Sequence, residues 1–201
     1  MQPNRHVRPE FLAAFREVAA RIASTLTHLP KRALPIKMYV AGGAAVHLYT
    51  GQRLSDDIDA SFSHRIALPE NLEVAYPGAD GAAQLLYFDR QYNDTLGLLH
   101  EDAYDDSQQL TLDSVDSAVL DVRLLSPLDL AVSKLGRFSD QDRDDILALA
   151  KLKLIESNGL RARAQAALAG YVGDIKRVQG SIEVACRILG DLEKRTAKRR
   201  T

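Results

Sequence analysis

Asp57 and Asp59 stand two positions apart in a stretch whose polarity alternates, with Ile58, Ala60 and Phe62 as its apolar members. On an extended strand both carboxylates leave the same face. Held that close they repel each other unless a cation lies between them. Oxygen-only ligands on a rigid element suit Mg²⁺, and two such ions can activate an attacking hydroxyl and stabilise a leaving pyrophosphate. Asp56, beside the pair, has the opposite strand parity, and Arg53 is the nearest cationic residue. An acidic pair alone also occurs in ordinary turns, so the context has to decide.

That context is a short apolar run, residues 36–41, that stops at Gly42-Gly43, followed by a helical stretch over 44–50 with Gly51 placed to end it. Glycine lets a phosphate approach the backbone, and the helix that follows offers free N–H groups and its positive dipole end. A tight strand-to-helix turn without a ligand explains the two glycines equally well on its own.

Several other residues bear on the chemistry. Asp121, flanked by Val119, Leu120 and Val122, reads as a carboxylate on a buried strand, where an unpaired charge is costly. Asp113 on the neighbouring strand is its rival, and pairing of Asp121 with Arg123 or Arg53 is the plainer alternative. Tyr87-Phe88-Asp89-Arg90-Gln91-Tyr92-Asn93 sets aromatics near polar groups that could hold a base, and core packing is the preferred reading. His47 and His100 lack partners at metal spacing. Cys186 falls in an apolar helical stripe with Ile182, Val184 and Leu189. Glu101, Asp102, Asp105 and Asp106 read as a solvated acidic loop.

The elements that must hold these residues follow from periodicity. Phe11, Leu12, Phe15, Val18, Ala19, Ile22 and Leu26 predict an amphipathic helix over 8–28. Strands are expected at 36–41, 57–62, 72–76 and 83–89, and a hairpin from 108–113 and 117–124 around Ser114-Val115-Asp116. Ser126-Pro127 opens a helix. Ser139-Asp140 opens another that runs to about Glu156 and ends at Asn158-Gly159, and residues 160–171 and 173–197 form two more. The expected class is α/β (α+β), a small mixed sheet flanked by helices with a helical C-terminal region. The division expected is 1–157 and 158–201.

The chain has 201 residues, 46% hydrophobic and 26% charged, enough apolar content for a core. One cysteine excludes an intrachain disulfide, no stretch reaches membrane-span length, and the first residues lack a signal-type apolar core, so a cytoplasmic protein without a membrane partner is expected. The net charge of -1 hides an asymmetry: residues 151–201 carry 12 Lys+Arg against 5 Asp+Glu, and residues 1–150 carry 14 against 22. An acidic body with a basic C-terminal quarter suits a protein that gathers cations and holds a polyanion. Varied charge on helical surfaces explains it too. The basic tail from Lys194 to Arg200 could contact RNA phosphates or simply be a solvated terminus.

Tyr39-Val40-Ala41-Gly42-Gly43-Ala44-Ala45 followed by Arg53-Leu54-Ser55-Asp56-Asp57-Ile58-Asp59-Ala60 resembles the signature of the DNA polymerase beta-type nucleotidyltransferase superfamily, with residues 44–56 as spacer. A second block, Ser126-Pro127-Leu128-Asp129-Leu130-Ala131-Val132-Ser133-Lys134-Leu135 and then Asp142-Arg143-Asp144-Asp145-Ile146, resembles the abortive-infection AbiEii-type toxin nucleotidyltransferases and the related DUF6036 group. The resemblance covers residues 36 to about 155. It implies transfer of a nucleoside monophosphate from an NTP to an acceptor hydroxyl. The acceptor would be RNA such as a tRNA, with an antitoxin protein as a possible partner. Asp57 and Asp59 would bind Mg²⁺ or Mn²⁺, with Asp121 as a third carboxylate acting as base or ligand. Gly42, Gly43, Arg53 and Lys134 would hold the nucleotide, and Asp145 would orient Lys134 or act in catalysis. Asp142 and Asp144 read as acids at a helix N-terminus. A protein or small-molecule acceptor, or an inactive binding module of the same fold, are the alternatives.

Overall fold

The computed structural model describes residues 1–93 and 97–198, and the chain divides into two compact units. The first comprises Met1–Tyr92 and Ser107–Leu125, the second Asn93–Asp106 and Ser126–Thr201.

The first unit opens with α1 (Pro9–Leu26), with Pro at its start, where a missing N–H costs nothing. Phe11, Phe15, Val18 and Ile22 form its buried face. A 3-10 turn, Lys31–Ala33, leads into β1 (Ile36–Val40), and α2 (Gly42–Thr50) begins two residues later. The remaining strands are β2 (Asp57–Ile58), β3 (Ala60–Phe62), β4 (Glu73–Pro77), β5 (Ala83–Phe88), β6 (Gln108–Gln109) and β7 (Leu120–Leu124).

The strands make two sheets, ordered β3-β1-β7-β6 and β2-β5-β4. The stretch 57–62 is therefore not one strand. β2 pairs in parallel with β5, and β3 pairs antiparallel with β1, so the chain changes sheets at Asp59. Backbone hydrogen bonds mark the change. Tyr87 and Asp89 donate to Asp56 and Ile58, while Ala41 donates to Asp59. Met38, Val40, Leu120, Val122 and Leu124 are buried, and α1 packs on β4, β5 and β7. The expected hairpin over 108–124 is present only at its base. β6 is two residues long, and turns occupy most of 111–119.

The second unit is helical: α3 (Pro127–Leu135), α4 (Asp140–Lys151), α5 (Ser157–Ala167), a 3-10 turn at Leu168–Gly170, and α6 (Ile175–Lys198). Ser126 caps α3, and Ser139 with Asp142 forms a reciprocal capping box on α4. α4 ends at Lys151 rather than near Glu156. Lys153, with φ of 58°, carries the reversal. Asn158-Gly159 does not end a helix but lies in the first turn of α5, whose Ser157 N–H is capped by Glu193 Oε1 at 2.7 Å. α6 buries Val178, Ile182, Ala185, Cys186 and Leu189. Val184 is exposed, two residues from Ile182 and so round the other side of the helix. Among the described residues no helix is long and apolar enough to cross a membrane.

Candidate functional site

β1 delivers the chain to Gly42, which takes φ of +60° as α2 begins. That conformation favours glycine, and space demands it as well. A Cβ at Gly42 would lie 1.8 Å from Asp59 Oδ2, and one at Gly43 would lie 2.4 Å from Ser55 Oγ and 3.3 Å from an Arg53 guanidinium nitrogen. The two glycines thus let Asp59, Ser55 and Arg53 close onto the start of α2. The N-cap residue, Ala41, has no side chain that could cap the helix, whose start carries the positive end of the dipole. Gly42, Gly43, Arg53, Asp57 and Asp59 are brought together here.

Ser55 was not singled out by sequence reasoning. It is buried, and its hydroxyl donates to Asp57 Oδ1 at 2.6 Å, fixing that carboxylate's rotamer. The signal was available, since Ser55, Asp57 and Asp59 share one parity in an extended run. Asp57 lies in register with Tyr87 on β5, and the two side chains share a face. The Tyr87 phenol is pushed above its ordinary range, first by the Asp57 carboxylate, then by partial burial and by Asp89, Asp56 and Asp59. Phe88 turns inward and stacks on Phe62 with centroids 5.8 Å apart, so the core reading of this pair holds for Phe88 and fails for Tyr87.

Asp121 is buried on β7 as expected, whereas its rival Asp113 is exposed and pairs with Arg16 at 3.5 Å. Asp121 Oδ2 accepts from Arg123 Nη1 at 3.1 Å, and Oδ1 meets no hydrogen-bond partner among the described residues. Arg123 is held in turn by the Ser107 hydroxyl and carbonyl. The register separates Asp121 from the acidic pair. Asp59 lies level with Ala41 and Asp121 with Lys37, four residues or about 13 Å along β1 and two strands across. Asp121 is thus set apart from Asp59 along the strands, and among the described residues no three His, Cys, Asp or Glu side chains form a group that could hold a metal ion. The Asp57–Asp59 pair suits a hard divalent ion by donor type, two carboxylates that leave the other coordination positions to water and phosphate.

Lys134 and Asp145 lie in the second unit. Lys134 is only 6% exposed, so it is not a solvated helix residue; its Nζ lies 2.7 Å from Asp145 Oδ2 and 3.9 Å from Asp142 Oδ1. Burial alone would raise the Asp142 carboxyl, but hydrogen bonds from Arg137 and Ser139 outweigh it and hold it at about 2. Asp144 is exposed. A second buried acid, Asp129, was overlooked as an ionic centre. Arg163 grips it with Nε and Nη2 at 2.7 and 3.0 Å and also reaches Asp106 at 2.6 Å, so Asp106 is partnered rather than merely solvated. His47 is buried with Nδ1 3.0 Å from the Gln52 carbonyl, His100 lies beside Asp102, and Cys186 is buried packing. Arg199 and Arg200 of the basic tail lie outside the described residues.

The family model for a nucleotidyltransferase of unknown function, DUF6036, matches residues 18–179. The chain belongs to that family. Comparison with curated proteins gives no match. Membership makes the protein a nucleotidyltransferase of mixed α/β fold, and an NTP is its implied substrate.

Proposed function

We propose that this DUF6036 nucleotidyltransferase moves a nucleoside monophosphate from an NTP to an acceptor hydroxyl with the help of Mg²⁺ or Mn²⁺ at Asp57 and Asp59. The observation that carries the reading is the closure of Asp59, Ser55 and Arg53 onto the Gly42-Gly43 start of α2. One place thereby offers carboxylates for a cation, and a guanidinium beside a helix N-terminus for phosphates. A divalent ion bound there supplies charge neutralisation for the reacting phosphates and lowers the pKa of the attacking hydroxyl. The acceptor oxygen forms a bond to the α-phosphorus, the bond to the pyrophosphate oxygen breaks and pyrophosphate departs with that electron pair, and the hydroxyl proton passes to water. Gly42, Gly43 and Arg53 hold the triphosphate in line for that displacement, and Ser55 keeps Asp57 in one rotamer. Lys134 and Asp145 take their roles from the AbiEii-type second block, Lys134 as a cation for nucleotide phosphate and Asp145 as the group that orients it.

The acceptor we favour is RNA, a tRNA among the candidates, and the biological setting is a cytoplasmic toxin restrained by a protein antitoxin. The basic balance of residues 151–201 supports a polyanionic acceptor. The test is incubation of the chain with Mg²⁺, each α-labelled NTP in turn and total tRNA, beside an Asp57→Ala/Asp59→Ala variant. Label in RNA with the wild-type chain alone is the expected result. Label in protein instead would move the acceptor to a polypeptide, and no transfer together with no Mg-NTP binding would leave an inactive binding module.

A further inference from the structure

β4 and β5 alternate cleanly. Tyr76, Leu86 and Phe88 turn inward, while Glu73, Leu85 and Tyr87 turn to solvent. Leu85 is 45% exposed and Tyr87 39%, so an apolar strip is left uncovered on this face of the β2-β5-β4 sheet. The strip ends at the acidic pair, because Tyr87 is the register partner of Asp57. Register partners on adjacent strands lie about 5 Å apart with their side chains on one face. The aromatic ring and the proposed metal-binding carboxylate are therefore neighbours.

We propose that Tyr87 is the stacking platform for the base of the nucleoside triphosphate, an inference that rests on the transfer reading of Asp57 and Asp59. A planar base needs an exposed ring within a nucleotide's length of the phosphates, and Tyr87 meets that need. The surrounding charge selects the occupant. Glu73 is the register partner of Tyr87 on its other side, and Asp56, Asp57, Asp59 and Asp89 all act on its phenol. A phosphate backbone laid across such a ring would be repelled. A neutral base and its ribose would not, and the carboxylates can accept from ribose hydroxyls or an exocyclic amine. One aromatic ring also serves one base, whereas strand-binding grooves set several rings along a cationic track.

The test is calorimetric titration of the full chain and of Tyr87→Ala and Tyr87→Trp variants with Mg-ATP, Mg-GTP, Mg-CTP, Mg-UTP and Mg-tripolyphosphate. Tripolyphosphate carries the phosphates without base or ribose. The expected result is that Tyr87→Ala binds the preferred NTP about tenfold more weakly, on the scale of base–aromatic stacking, with tripolyphosphate unchanged and Tyr87→Trp at or above wild-type affinity. An equal loss for tripolyphosphate would make Tyr87 a merely structural residue and overturn the proposal. Unchanged NTP affinity with a raised KM for an RNA acceptor would also overturn it, by giving the ring to the acceptor. If base-dependent binding appears but transfer survives in Asp57→Asn/Asp59→Asn, the transfer reading fails while Tyr87 stacking stands. If the wild-type chain binds none of the five, both fall.

Discussion

Asp129, Asp142 and Asp145 in the second unit each end within hydrogen-bond distance of a cation, from Arg163, Arg137 and Lys134 respectively. All three acids are buried. In the first unit the acids around Tyr87 sit nearer the surface and act together on its phenol. Asp57 accepts a neutral hydroxyl from Ser55, and four carboxylates press on the phenol of Tyr87. The second arrangement completes its charge internally, as a buried ion must. The first keeps like charges together at a surface, which is stable only because water, Arg53 or an added cation shares the field. The contrast separates acids whose charge is already matched by a cation of their own unit from acids that leave charge to be matched by a ligand.

The sharpest way to break the contrast is to neutralise the surface pair. Asp57→Asn/Asp59→Asn is expected to lower transfer by about 1,000-fold or more, since several kcal/mol of metal-based stabilisation goes with it. Its unfolding free energy should move by no more than about 1 kcal/mol, because like-charge repulsion is relieved at a partly exposed site. Urea denaturation beside the labelled-NTP assay checks both halves, and a large stability loss would make the pair structural. The complementary variant, Lys134→Met, leaves Asp145 and Asp142 buried beside an apolar group and should cost about 3–5 kcal/mol in the same denaturation experiment. A cost below about 1 kcal/mol would show that the second unit's charges are not mutually dependent.

Two glycines sharpen the comparison within the first unit. Gly42→Ala and Gly51→Ala both force a side chain into positive φ, and each meets a close neighbour, Asp59 Oδ2 at 1.8 Å and the His6 backbone at 2.6 Å. Both should lose about 1–2 kcal/mol of stability from backbone strain alone. Only Gly42→Ala displaces an acid of the candidate site, so it alone should weaken Mg-NTP binding, by about tenfold or more. Equal binding losses would mean that α2 as a whole, and not the Gly42–Asp59 contact, sets affinity.

Local pattern made much of this visible in the sequence. The apolar spacing of α1, the Gly42-Gly43 turn, the Gly51 cap and the Ser126 and Ser139 caps are short-range features, and they formed as read. What stayed hidden depended on pairing between distant segments. The alternation of 57–62 runs on through Asp59, yet β5 takes the first half and β1 the second, so one apparent strand serves two sheets. Asp121 was legible as a buried strand acid, but its level on β7 is set by the register with β1, which no local signal encodes. Asn158-Gly159 looked like a helix stop because the partner that starts α5 there, Glu193, lies 36 residues away. Tyr87 and Phe88 could be told apart only once the face covered by α1 was known.

The two units also titrate in different windows. Burial holds the His47 imidazole below its ordinary 6.5, against weaker opposing hydrogen bonds from the Gln52 and Arg53 backbones and with a small further lowering from Arg8. The folded chain therefore resists a proton that the unfolded chain accepts. Stability from a neutral His47 is complete above pH 6.5 and is lost as pH falls from 6.5 towards the folded value, at up to about 1.4 kcal/mol per pH unit. Asp142 is shifted in the same downward sense but in a lower range. Its carboxyl titrates at 3.8 when unfolded and about 2 when folded, so its contribution persists down to about 3.8 and is lost only as pH falls towards 2. Thermal melts of the wild-type chain should thus weaken first as pH falls below 6.5. In His47→Gln, which keeps a donor for the Gln52 carbonyl, that first decline should flatten while the loss below pH 3.8 remains. Amide exchange would locate the early loss at Phe11, which packs against the His47 ring at 4.6 Å, and not at α4. Early exchange in α4 instead would show that the ionic cluster of the second unit, and not the buried imidazole of the first, sets the response to mild acid.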